Sequence, residues 1–396
     1  MFNEATTRFI HEHHDDDVQA LALKSKHLPD DIDLLTALVQ IAGRQSIQHK
    51  IPSWYEREDL IYPVKLPLEQ CSSEHTARYK AALLGGNSFL DLTGGFGVDT
   101  AFIAPKFEHS TYIERQDSLA EIAQHNFSAL GLNIRILNMN GIFYLHRMEN
   151  PVDCIYIDPA RRSIADKRGV LIEDCDPNVA EFQHKLVEKA GTVLVKLSPM
   201  LDIQAALRTL EYVNEVHVVS VDNECKELLF LLKKNPRKDP VITCSNLTKS
   251  HDYIDSFRLS EENNAQLKYS KEVKRFIYEP NASLMKAGFY KSIAVQYGVE
   301  KLHPNTHLYT SYRYIKDFPG RIFQVKAVSS MKSPELNQNL KGIETANITV
   351  RNFPLSVAEL RRKLKIYEGG ETYLFATTLS DESLAIVRAN KIVICN

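Results

Sequence analysis

The chain of 396 residues is predicted to be an α/β protein, built on a parallel sheet that finishes in an antiparallel hairpin. A helical region precedes that sheet and small α+β domains follow it. Three observations predict this class. From Asn87 onward, short apolar runs alternate with amphipathic stretches, the pattern of parallel strands joined by right-handed crossovers. The run FLDLTGGFGVD, from Phe89 to Asp99, sets Gly94, Gly95 and Gly97 directly behind the first strand. Further on, VNEVHVVSVDNECKELLFLLKK reads as two strands with a short turn and no helix between them.

Composition narrows the class. The chain is 44% hydrophobic and 25% charged, as soluble globular proteins are. A formal net charge of −2 gives no global sign of a nucleic-acid partner, so any such surface must be local. The six cysteines (Cys71, Cys154, Cys175, Cys225, Cys244, Cys395) form no CxxC pair. That spacing argues against a disulfide framework or a structural zinc site and suits a reducing cytoplasm. The start, MFNEATTRFIHEHHDDD, is too polar for a secretory signal, and no apolar run approaches the roughly 18 residues of a membrane span. A soluble cytoplasmic protein without a membrane partner is the expectation.

The elements follow in order. Residues 1–80 are expected to be mostly helical: DDIDLLTALVQIAGRQ carries Leu34, Leu35, Leu38, Val39 and Ile41 near helical spacing, and SSEHTARYKAALL starts with capping residues. Between them IPSWYEREDLIYPVKLPLEQ, with its prolines, cannot be one helix. Residues 81–235 carry the sheet. NSFLDL, STYIER, NIRILNMN, VDCIYIDPA and GTVLVKLSP are five strands, separated by helices at VDTAFIAPKF, DSLAEIAQHNFSALG and PNVAEFQHKLVEKA. DIQAALRTLEYV adds a helix before the hairpin. Residues 236–320 are expected to be a connecting α+β region, with a ferredoxin-like fold as one option: VITCS and FIYEP read as strands and LMKAGFYKSIAVQYG as helical. The last segment, 321–396, alternates strand and helix before TYLFATTL and SLAIVRA pair as strands.

The glycine turn asks for a ligand. Glycine lets the backbone come closer to a bound group than any Cβ would allow. The spacing is not the GxGxxG of dinucleotide sites; it is D-x-x-G-x-x-G, from Asp91 through Gly94 to Gly97. Asp91 can fix the turn, while Gly95 and Gly97 can face the ligand. Glu114, at the end of the second strand, can accept two ribose hydroxyls. At the third strand end Asn140 can meet an adenine edge, with Gly141 leaving room for the ring. IDPARR closes the fourth strand. Polar groups at successive strand ends mark the ligand-binding edge of an open α/β sheet.

This arrangement resembles a class I S-adenosylmethionine-dependent methyltransferase with its Rossmann-like sheet. DLTGGFGVD also resembles the first motif of several RNA methyltransferases, in which a threonine, here Thr93, replaces the first glycine of the usual triad. By its layout, including RQSIQHKIPSW and the tail from about residue 322, the chain resembles the bacterial methyltransferases with a C-terminal THUMP-like domain. The resemblance implies S-adenosyl-L-methionine as cofactor, held by Asp91, Thr93, Gly94, Gly95, Gly97, Asp99, Glu114, Asn140 and Gly141.

IYIDPARRS supplies the expected catalytic edge. Asp158 would accept hydrogen bonds from an acceptor amine, Pro159 would stiffen the turn, and Arg161 and Arg162 suit a phosphate, which their forks grip bidentately. Related amine methyltransferases carry acid or amide, Pro, Pro, aromatic; here Ala160 and Arg161 replace the last two. The D-P-x-R form is shared with C5-uracil methyltransferases, but their nucleophilic cysteine beyond the fifth strand is absent from Lys196-Leu197-Ser198-Pro199. Cys225, placed in the hairpin turn, is read as an ordinary turn cysteine. Lys196 is either a substrate contact or a surface lysine.

Elsewhere the signals are weaker. His11, His14 and Asp15–Asp17 allow a metal reading, but a solvated, capped helix start fits them better, so no metal is expected. Arg44, Lys50 and Trp54 fit either nucleic-acid contact or helix surface and core. Arg361, Arg362, Lys363 and Lys365 on one helix, with Lys326, Lys332, Lys341, Arg351 and Arg388, form a candidate RNA-facing surface, beside Tyr309, Tyr312 and Tyr314. The leading expectation is methylation of an exocyclic amine on a base of rRNA or tRNA. The alternatives are a non-catalytic RNA-binding module with a relict cleft, and a methyltransferase for a small molecule or protein. Oligomeric state is left open.

Overall fold

The computed structural model describes residues 2–23, 29–161, 171–249 and 251–392. Arg162 and Cys395, among the residues singled out above, lie outside that set. The chain divides into two compact units, Met1–Val216 with Glu227–Lys238, and His217–Lys226 with Asp239–Asn396.

The strands that carry the site are β1 (Ser88–Asp91), β2 (His109–Glu114), β3 (Ile134–Asn138), β4 (Val152–Ile157) and β5 (Ala190–Leu197) of the first unit, with the hairpin β6 (Val213–Val221) and β7 (Glu224–Leu232), whose residues are shared between the two units. Their order is β3-β2-β1-β4-β5-β7-β6. β1 to β5 pair in parallel, and β7 runs antiparallel to β5. The predicted α/β class, parallel with an antiparallel finish, is what the chain adopts. β6 and β7 are joined by Asp222 (φ 49°) and Asn223 (φ 66°). Two successive positive φ values make the two-residue turn that matches strand twist. Cys225 therefore belongs to β7 and not to the turn where the sequence placed it.

Among the described residues six short helices run ahead of the sheet, the longest being Leu34–Ile47. Leu35 is 80% exposed, contrary to its expected place in the apolar stripe, while Gln40 is buried and bonds both the N–H and the C=O of Tyr62. Trp54 packs edge-on against Phe96 of the glycine turn, centroids 5.2 Å apart. That contact joins a buried cluster of Ile47, Ile51, Tyr62, Tyr112 and Phe127. Trp54 is thus core. Lys50 closes the C-terminal turn of Lys65–Gln70 through the carbonyls of Leu68 and Glu69, and Arg44 lies over the Tyr55 ring.

The second unit pairs β8 (Val241–Leu247) with β9 (Tyr253–Arg258) antiparallel. Its main sheet contains β10 (Phe276–Pro280), β11 (Glu300–His303), β12 (Thr306–Ser311), β13 (Gly320–Ser329), β14 (Asn347–Arg351), β15 (Thr372–Thr378) and β16 (Leu384–Lys391). The order is β11-β12-β10-β13-β16-β15-β14, so residue 320 falls inside one continuous sheet. The stretch LMKAGFYKSIAVQYG, expected as one helix, is two, Ala282–Ala287 and Ser292–Tyr297. Gly288 at φ 82° ends the first in the left-handed cap that favours glycine. Tyr309 is buried in the sheet, and Tyr312 is exposed with its hydroxyl donated to Glu272.

Candidate active site

The site begins at the C-terminal end of β1. Asp91 is buried, and its carboxylate accepts the amide N–H of Thr93 at 2.9 Å and the hydroxyl of Thr100. One side chain thereby ties the turn to the helix behind it. Burial pushes Asp91 up to about 7, against the opposing pull of Thr100 and Thr93.

The three glycines have different reasons to be glycine. A Cβ on Gly94 would lie 2.1 Å from the Tyr112 ring, and one on Gly97 would lie 2.8 Å from Phe127. Those two serve the protein's own packing. Gly95 differs: at φ +57° it needs the left-handed region, and a Cβ there would meet nothing nearer than the Thr93 carbonyl at 3.8 Å. Of the pair expected to face a ligand, Gly95 has open space before it, whereas Gly97 is explained from behind.

Glu114 at the end of β2 is buried, and its oxygens accept Gly95 N–H and Gln116 N–H, each at 2.8 Å. It holds the turn in place while keeping a second lone pair on each oxygen. Asn140 is the N-cap of Gly141–Arg147, accepting from Ile142 and Phe143. Its side-chain carbonyl is engaged in capping, and its amide NH₂ takes no part in that cap. Gly141 is required by close backbone approach, since a Cβ would sit 2.1 Å from the Leu92 carbonyl oxygen. Room for a ring is not needed to explain it.

At the tip of β4, Asp158 donates its backbone N–H to the Thr93 hydroxyl at 2.7 Å. Thr93 therefore joins the glycine turn to the Asp158-Pro159 turn. The Asp158 carboxylate meets Lys196 Nζ at 2.5 Å. Ala160–Arg161 pairs antiparallel with Cys175–Asp176, and Arg115 reaches Asp176 at 3.3 Å. Burial alone would depress Lys196, but Asp158, Asp99 and Glu227 outweigh it and hold the ammonium above its ordinary value.

Asp99 points away from the open edge. Its Oδ2 accepts Ser72 Oγ at 2.8 Å and the Tyr156 hydroxyl at 2.6 Å, and its Oδ1 lies 3.2 Å from Lys80 Nζ. Lys80 is fully buried and donates to both oxygens of Glu227 at 2.8 and 2.7 Å and to Ser72 at 3.0 Å. Burial would raise Asp99, yet Lys80 and Lys196, with help from Tyr156 and Ser72, hold it below the usual carboxylate range. Sequence reasoning missed Lys80, Ser72, Tyr112, Tyr156 and Glu227. For Tyr156 a signal existed, since it stands mid-strand between two isoleucines, and its hydroxyl goes to Asp99; Tyr112, which donates to the Gly95 carbonyl, has Ser110, Thr111 and Glu114 around it and gave no such sign.

Among the described residues no group of three His, Cys, Asp or Glu is placed to hold a metal; His13 pairs with Asp16 at 2.7 Å, and Asp17 caps the next helix through Ala20 N–H. No helix among the described residues is long and apolar enough to cross a membrane.

Comparison with known proteins shows the family. Residues 276–319 match the family described as a ferredoxin-like domain, and residues 320–389 match the one described as THUMP domain-like. A crystal structure of a candidate methyltransferase from Porphyromonas gingivalis W83 superposes with a TM-score of 0.90 at 34% identity, covering 99% of this chain and 100% of that one. The chain belongs to the class I methyltransferases that carry a C-terminal THUMP-like domain. A candidate class I S-adenosylmethionine-dependent methyltransferase from Listeria monocytogenes is 12% identical, with a TM-score of 0.39 over 62% of this chain and 94% of that one. The tRNA (uracil-54, C5)-methyltransferase of Pyrococcus abyssi, bound to S-adenosyl-L-homocysteine, is 17% identical with a TM-score of 0.30, over 40% of this chain and 37% of that one. A sequence comparison with the curated proteins gives no match.

Proposed function

We propose that the chain transfers a methyl group from S-adenosyl-L-methionine to an exocyclic amine of an RNA base, in rRNA or tRNA. The observation that carries the reading is the joining of Asp158 to the glycine turn through Thr93, beside the open approach at Gly95. The fit of the cofactor rests on the same cradle: Gly95 offers the backbone, Glu114 retains acceptor capacity for hydroxyls, and the Asn140 NH₂ suits an acceptor nitrogen of a purine edge. Asp91, Thr93, Gly94, Gly97, Asp99 and Gly141 hold that cradle in shape.

S-adenosyl-L-methionine held there would supply an electrophilic methyl group and leave as S-adenosyl-L-homocysteine. Asp158 accepts a hydrogen bond from the amine and offsets the positive charge that grows on it, while Pro159 limits the turn. Positioning of this kind supplies much of the rate in a displacement. After transfer the cationic nitrogen releases its proton to solvent. Arg161 and Arg162 are assigned to phosphate, and the THUMP-like segment, with its exposed Arg362, Lys363 and Lys365, to the RNA backbone. The division into 1–80, 81–235, 236–320 and 321–396 assigns chemistry to the second segment and RNA selection to the last two.

The test is transfer of labelled methyl from S-adenosyl-L-methionine to total RNA of cells lacking the gene, with protein and small-molecule fractions in parallel. Label in an N-methylated nucleoside is expected. Label confined to protein or small molecules, or cofactor binding with no transfer, would contradict the reading.

A further inference from the structure

The charged groups behind Asp158 form a chain that the methyl-transfer chemistry does not use directly. Lys196, near the end of β5, contacts Asp158 Oδ2 at 2.5 Å, and its side chain is only 14% exposed against 33% for Asp158. The ammonium therefore sits on the shielded side of the carboxylate. The hydrogen bond from Lys196 goes to Oδ2 alone, and the Asp158 side chain as a whole keeps a third of its surface exposed. Deeper in the fold, Asp99 and Glu227 both act on Lys196, and both are bound by the sealed Lys80. Glu227 comes from β7, Asp99 from the helix after the glycine turn, and Lys80 from the helix Glu74–Leu83. Among the described residues, Asp91 and Tyr156 also feel the Asp158 charge.

We propose that Lys196 is a positioning residue, which clamps one oxygen of Asp158 so that the other meets the acceptor amine, and that Lys80 anchors the carboxylates behind it. This rests on the assignment of Asp158 to the acceptor and replaces the expectation that Lys196 touches substrate. The physical reason is entropic and electrostatic. A free aspartate at a strand tip samples several rotamers. A short ionic bond to a shielded ammonium selects one of them, because the charge-assisted contact is stronger where water is excluded.

The test uses the full-length protein and three variants, Lys196→Met, Lys196→Arg and Asp158→Asn. With labelled cofactor and total RNA as acceptor, Lys196→Met is expected to lower kcat by about 10²-fold, the scale of losing one preorganised electrostatic contact. KM for RNA should stay within about twofold of wild type, because no substrate contact is removed. Lys196→Arg should recover part of kcat. A rise in KM with kcat preserved would overturn the proposal and restore Lys196 as a substrate contact. A second readout does not depend on turnover: in protein labelled at lysine Cε, the Lys196 carbon signal should titrate above the ordinary lysine range in wild type and move down in Asp158→Asn. An ordinary titration in both proteins would overturn the clamp. Failure of the wild type to label RNA would count against the substrate reading alone, and the lysine signal would then decide the clamp.

Discussion

In the first unit Lys80, with no exposed side chain, meets Glu227 at 2.7 Å and Asp99 at 3.2 Å, both carboxylates nearly as deeply buried. In the second unit Glu279 is equally deep, but its partners Arg321 and Arg351 keep side-chain exposures of 35% and 40%. Both arrangements neutralise a buried acid. The first hides its cation and the second displays it. A sealed cation can only hold shape, since nothing outside reaches it. A half-exposed guanidinium braced by a buried carboxylate holds shape on one side and presents fixed positive charge on the other. The contrast matches the two roles proposed above, rigid strand tips in the first unit and an anion-facing surface in the second.

The largest effect should come from breaking the sealed pair. Lys80→Met leaves Glu227 and Asp99 without their cation, and loss of one partner in a buried pair costs about 3–5 kcal/mol. A lowered thermal midpoint that added salt does not restore is expected. A melt unchanged from wild type would remove the distinction between the two regions.

The second effect is a pH dependence. Burial raises Asp91 to about 7 from an ordinary 3.8, so the folded protein binds its proton more tightly than the unfolded chain does. The stability this contributes is fully present below the unfolded value and is lost as pH rises through about 7. Thermal midpoints of Asp91→Asn should therefore fall less steeply than those of wild type as pH rises from 4 to 7, a window set by those two values. Parallel slopes would show that Asp91 carries no such proton.

Smaller again is the displayed pair. Arg351→Met removes an ion pair screened by water, for which about 1 kcal/mol is the upper scale. Its stability loss should be well below that of Lys80→Met, and Arg321 remains on Glu279 to compensate. The smallest change in fold is expected for Arg362→Ala with Lys363→Ala, both exposed on the helix Val357–Leu364. Their melts should match wild type, while RNA affinity becomes less steeply dependent on salt, by about one log unit per log unit for each phosphate no longer neutralised. An unaltered salt slope would take that helix out of the RNA surface.

The sequence made the sheet of the first unit legible because each strand end coincides with a change of chemistry. FLDL stops at a glycine turn, TYIE at an acid, and IYID at a proline. Those breaks need no long-range knowledge. The charge chain was illegible for the opposite reason: Lys80 reads as one lysine on an ordinary amphipathic helix, and its partner Glu227 lies 147 residues away. Nothing local distinguishes a sealed lysine from a solvated one. The roles of the glycines were half legible. Their presence announced a turn, but whether each yields space to a ligand, to Tyr112 or to the Leu92 carbonyl is decided by what packs behind it. The helix break at Gly288 was missed because the apolar pattern runs on across it, although glycine at a helix end was the available sign.

The central claim is that the β1 turn, with Gly95 at its open point, seats an adenosyl sulfonium. Calorimetry with S-adenosyl-L-homocysteine on wild type and Gly95→Ala tests it most directly. The alanine would be strained at φ +57° and would fill the approach, so the account predicts saturable one-to-one binding to wild type and clearly weaker binding to a variant that still folds. Absence of binding to the wild type, or equal affinity for both proteins, would contradict it.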